Sequence, residues 1–104
     1  MEPLKKDLES LIADLNLLLG YQTDVAAAKQ VQKAIGQLLA LQQKVIAATL
    51  DANKAEYQAA AQGLGLANGA AQAALADLRN LTLALEKANA AAKLLDAVLR
   101  AIPV

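Results

Sequence analysis

The sequence predicts an all-α fold, an antiparallel helical bundle, on three observations. The first is a pair of apolar heptads. One runs through Ala27, Val31, Ala34, Leu38, Leu41, Val45, Ala48, Ala52, Ala55 and Ala59, the other through Ala67, Ala71, Ala74, Leu78, Leu81, Leu85, Ala88, Ala92, Leu95, Leu99 and Ile102. Alternating spacings of four and three keep one stripe of a helix facing a neighbour along its length, the pattern of coiled-coil packing. The second is composition: of 104 residues, 26 are alanine and 21 leucine, both strong helix formers. The third is the scarcity of strand formers: five valines, four isoleucines, three threonines and two tyrosines, with no phenylalanine or tryptophan.

A single helical domain spanning 1–104 follows from the length. The first helix is predicted over about 3–19. Pro3 suits a first helical turn, where its missing N–H has no intrahelical partner to lose. Leu4, Leu8, Leu11, Leu15 and Leu18 form its seam, widened by Ile12 and Leu19, and Gly20 stands at the C-cap. Thr23 or Asp24 then caps a second helix.

That second helix is predicted over about 24–62, roughly 57 Å at 1.5 Å per residue. A further apolar stripe runs along it through Ile35, Leu39, Ile46, Leu50, Tyr57 and Leu64, with Gln42 and Thr49 between, either as a polar layer selecting register or as the edge of the buried arc. Its weak point is 49–53, where Asp51 or Asn53 could cap a new helix with Glu56 as capping-box partner. The heptad nevertheless passes through Ala48, Ala52 and Ala55 without a phase shift, which favours continuity. The glycines of 63–69 mark the turn. A third helix follows over about 67–101, stopped by Pro103, with a second stripe at Leu83, Ala90, Leu94 and Val98 and a favourable Asp96–Arg100 pair.

These lengths set the architecture. A short first helix covers only half of a long hairpin, so the second stripes need either another copy, giving a dimer, or a break near residue 50 that folds the chain into a compact four-helix bundle. Leu38, Leu41, Val45, Ala48, Ala52, Ala55, Ala74, Leu78, Leu81 and Leu85 are the candidate interaction seam, with the surface around 41–86 left over for a partner.

Charge and composition narrow the function. Ten basic and ten acidic residues cancel, and there is neither a basic stripe nor a set of aromatics for nucleic acid. Without histidine or cysteine, the chain has no Ser–His or Cys–His nucleophile and no ordinary zinc site. Asp7 and Asp14 share a face as solvated charges, and Tyr21 and Tyr57 are expected to pack with their hydroxyls at the surface. No catalytic, cofactor-binding or metal-binding residues are expected. The glycines of 63–69 lack the strand and lysine of a phosphate loop.

The N-terminus, with charges of both signs, does not read as a signal peptide, so a cytoplasmic location is the default expectation. Residues 57–76 carry one span's length without charge, but three glutamines, an asparagine and three glycines make membrane insertion unfavourable. The reading is a non-enzymatic interaction or assembly module, with a homodimer or another helical protein as partner. Two alternatives are a secreted or membrane-active hairpin with an uncharged tip at 57–76, and a designed bundle, which the absence of Cys, His, Phe and Trp would suit.

Overall fold

A computed structural model of the chain describes residues 3–48, 50 and 53–101. Four α-helices form it: α1 Pro3–Gly20, α2 Val25–Ala47, α3 Ala55–Ala76 and α4 Leu81–Arg100, with a single 3₁₀ turn, Leu78–Asn80, between the last two. Among the described residues there is no strand, and the all-α helical bundle expected from composition and periodicity is the observed fold.

α1 owes its position to leucine. Leu4, Leu8, Leu11, Leu15 and Leu18 are wholly buried, one per turn along a single stripe. The helix closes without a left-handed residue, since no glycine has positive φ. The expected glycine cap at Gly20 is therefore replaced by tightened turns, in which the N–H groups of Tyr21 and Gln22 donate to the carbonyls of Leu18 and Leu19 at 3.1 and 3.2 Å. Asp24 caps α2 as expected, accepting from the Ala26 N–H at 3.1 Å.

α2 ends at Ala47, and Ala48 is extended with φ −94° and ψ 151°. The continuous helix over 24–62 is thus corrected to two helices. Burial supplies a reason. An unbroken helix leaves Tyr57 and Leu64 on a stripe that the short α1 cannot reach, whereas folding back places both in the core. The local cost is small, because Asp and Asn side chains compete with helical hydrogen bonding and a β-branched residue loses rotamer freedom in a helix. Thr49, Asp51 and Ala52 lie outside the described residues, as do Glu2, Ile102 and Pro103. Lys54 occupies the N-cap of α3 without a side-chain capping bond, so the expected cap at Asn53 falls one residue too early.

The predicted turn at 63–69 is also corrected, since all seven residues lie inside α3. Tyr57, Ala60, Leu64, Ala67, Ala71 and Ala74 make one buried heptad straight through the glycines. Reversal occurs instead at Asp77–Asn80, which splits the helix expected over 67–101. The Asp77 carboxylate accepts from the Arg79 backbone N–H at 3.0 Å and from its guanidinium at 2.7 Å, while Asn80 Nδ2 donates to the Ala73 carbonyl at 3.2 Å. The side-chain bonds from Arg79, and then its backbone N–H, hold the Asp77 carboxyl below the usual carboxylate range.

Two interhelical hydrogen bonds set direction. The Leu4 N–H, at the start of α1, donates to the Tyr57 hydroxyl in the first turn of α3 at 3.4 Å, and Asn68 Nδ2 donates to the Asp7 carbonyl at 3.0 Å. Residue numbers rise together, so α1 and α3 run parallel. The short connections then make α1–α2 and α3–α4 antiparallel hairpins and leave α2 parallel to α4. The neighbouring pairs are α1–α2, α2–α4, α4–α3 and α3–α1, a closed ring with α1/α4 and α2/α3 on the diagonals. The result is a bundle of 43 × 20 × 20 Å.

Candidate interaction groove

The four sides of this ring are not filled alike. Leucines of α1 fill the sides it shares with α2 and α3. Between α2 and α4 the chain supplies mostly methyl groups and leaves an open groove of about 670 Å³. Ala34 and Leu41 of α2 line it with Leu85 and Ala92 of α4, each pair seven residues apart. Ala34 and Leu85 are buried while Leu41 and Ala92 are half-buried, so these four make an apolar floor.

The walls are polar and exposed: Lys33 and Gln37 rise from α2, and Asn89 and Lys93 from α4. Asp96 also lines the groove, with its carboxylate held by Arg100 Nε at 2.9 Å, the pair expected from the sequence. Among the described residues neither Lys33 nor Lys93 has an ion-pair partner.

The structure distributes the ten expected seam residues unevenly. Leu38, Val45, Ala74 and Leu85 are buried; Leu41, Ala48 and Leu81 are half-buried; Ala55 and Leu78 are exposed; Ala52 lies outside the described residues. Only Leu41 and Leu85 line the groove. Ala55 and Leu78 are exposed because each falls at a chain reversal, where the heptad changes helix. In α4 the buried set is Ala84, Leu85, Ala88, Ala91, Leu95 and Val98, so the true stripe turns away from Leu81, Ala92 and Leu99 towards α3. The second stripe of α2 is likewise split, with Ile35 buried and Leu39 and Ile46 exposed.

Lys33, Gln37, Asn89 and Lys93 were not candidates from sequence. One signal was available: Lys33 and Lys93 each adjoin a floor alanine, the position that flanks a heptad seam.

The polar positions match one of the two readings at Gln42 and depart from expectation at Tyr57. Gln42 is half-buried, at the edge of the arc. Asn68 is the polar residue between α1 and α3, its Oδ1 buried without a hydrogen-bond partner. Tyr57, expected to reach solvent, buries its hydroxyl against the α1 N-terminus, whereas Tyr21 is exposed. Burial raises the Asp14 carboxyl above its ordinary value. Among the described residues no three acidic side chains gather to hold a metal ion. No described helix is long and apolar enough to cross a membrane, and residues 57–76 form most of α3 rather than a hairpin tip.

No protein-family model matches the chain, and neither the curated proteins nor the solved structures yield a match.

Proposed function

We propose that the chain is a non-enzymatic helical interaction module that docks an α-helix along the groove between α2 and α4. The observation that carries this reading is the floor: Ala34 and Leu41 on one helix, Leu85 and Ala92 on the other, at heptad spacing and incompletely covered. A third helix laid between two parallel helices meets such positions once every two turns, and alanine at the contact permits the short end of the usual 8–10 Å approach. The missing histidine and cysteine favour contact over chemistry, since the commonest nucleophile and proton-transfer pairs cannot be built.

A synthetic heptad peptide with leucine at both seam positions tests the reading. Added to isotope-labelled protein, it is expected to shift backbone amides along the facing sides of α2 and α4 and to leave α1 untouched. Leu41→Asp places a carboxylate on the floor and should abolish those shifts while circular dichroism stays helical. Shifts centred elsewhere, or binding indifferent to Leu41→Asp, would sink the proposal. A second copy is the alternative occupant. It predicts a molar mass near twice 10.8 kDa by light scattering, reduced to that of the single chain by the same substitution.

A further inference from the structure

Resting on this docking reading, we infer that the helix received by the groove is acidic at the positions flanking its apolar stripe. The chain as a whole is neutral, with ten basic and ten acidic residues, but the groove is not. α2 carries Lys29, Lys33 and Lys44 and no acidic residue between Val25 and Ala47. Lys33 stands on one wall and Lys93 on the other, each next to a floor alanine.

The groove's own carboxylate, Asp96, is engaged by Arg100 at 2.9 Å, while both lysines lack an ion-pair partner among the described residues. Residues flanking a heptad seam set partner choice by charge, and their long stems lie along the docked helix while the ammonium stays in water. Two cationic arms on opposite walls therefore pair with carboxylates on both edges of an incoming helix. They also repel a basic helix of equal hydrophobicity, so the arrangement selects as well as attracts.

The probes are two synthetic heptad peptides with identical leucine seams, one with glutamate and one with lysine at every flanking position, titrated by fluorescence anisotropy at low salt. The glutamate peptide is expected to bind and the lysine peptide to bind at least about tenfold more weakly, with the difference shrinking as salt rises. Lys33→Glu/Lys93→Glu changes only exposed side chains and should keep the helical circular dichroism spectrum. In that variant the preference should reverse, with the lysine peptide rescued.

Equal binding of both peptides, blocked by Ala40→Trp at the groove rim, would overturn the charge inference while leaving the docking reading intact. Binding of neither peptide would overturn both. A dimer of the chain that the double reversal dissociates, in the absence of peptide binding, would make the occupant a second copy and refute a separate acidic helix.

Discussion

Glycine-to-alanine substitution separates the helix at 63–69 from the turn that its composition suggests. At Gly36, Gly65 and Gly69 an added Cβ meets nothing within 4 Å, and each backbone is helical without positive φ. Alanine there should gain roughly 0.5–1 kcal/mol per site from helix propensity and a less flexible unfolded chain. The triple variant should be stabilised by roughly 1.5–3 kcal/mol, raising Tm by roughly 6–15 °C for a domain of this size. Gly63 differs, because a Cβ there would stand 2.6 Å from Leu94 Cδ1 and 3.7 Å from Ala91 Cα. The backbone of α4 tolerates the methyl, but Leu94 must swing aside, at about 0.5–1.5 kcal/mol for a strained rotamer and more if its contacts are lost. Gly63→Ala should therefore be neutral to about 1 kcal/mol destabilising, and should recover the full alanine gain in a Leu94→Ala background, a coupling that a double-mutant cycle reads directly. Thermal and urea unfolding followed at 222 nm would measure all of these. Destabilisation by Gly65→Ala and Gly69→Ala would refute a continuous α3, since a left-handed turn glycine replaced by alanine loses roughly 1–2 kcal/mol. A gain at Gly63 equal to that at the open sites would refute the close approach of α3 to α4.

Tyr57→Phe leaves the Leu4 N–H at the buried start of α1 without its acceptor and should cost about 0.5–1.5 kcal/mol in urea unfolding, with faster amide exchange in the first turn of α1. Asp24→Ala removes the cap of α2 and should cost about 0.5–2 kcal/mol; Asp24→Asn should retain most of it. Asp14 has a raised folded pKa, so the native state binds its proton more readily than the unfolded chain. Its charge therefore opposes folding above that pKa, and the opposition fades as pH falls through it. Asp14→Asn should be the more stable protein at neutral pH, with an advantage that disappears below the ordinary value of 3.8, as parallel unfolding series across pH would show. Asn68→Leu removes both a hydrogen bond and a buried, unpartnered oxygen. It should change stability by under about 1.5 kcal/mol while broadening the NMR spectrum around the α1–α3 contact, if this amide fixes the register there.

Helix content was legible because alanine, leucine and their spacing act within a few residues. The buried stripe of α1 and the Asp96–Arg100 pair could be read completely, and the cap of α2 was narrowed to Thr23 or Asp24, because each depends on neighbours about one turn away. The chain reversals could not, and for a physical reason. A glycine costs about 1 kcal/mol in a helix, which three of them do not turn into a break when burying Tyr57 and Leu64 outweighs it. The heptad through Tyr57, Ala60, Leu64, Ala67, Ala71 and Ala74 was present in the sequence, crossing the supposed turn in phase, but two longer and overlapping heptads masked it. Alanine itself created that ambiguity, since a residue found at buried and exposed positions alike completes a seam on almost any face. The groove was less visible still. It depends on α2 and α4 becoming parallel neighbours, and that depends on where both reversals fall.

The break after α2 also explains why one side of the bundle is open. A chain continuous through residue 50 would leave its second stripes for another copy; folding back buries Ile35, Tyr57, Leu64 and Val98 of those stripes within the chain and leaves Leu39, Ile46 and Leu83 exposed. The five stripe leucines of α1, Leu4, Leu8, Leu11, Leu15 and Leu18, are consumed against α2 and α3. What remains for the α2–α4 side is a pair of helices whose facing positions alternate alanine with leucine and whose larger apolar stripe, in α4, is turned towards α3. A methyl group fills less than half the reach of a leucine, so that side closes in contact but not in volume, and Leu41 stays half covered. A helix placed there would complete the packing of both floors at once. On the proposed reading the partner surface is the groove spanning about 30–41 and 85–96, created by the same fold-back that buried Tyr57 and Leu64.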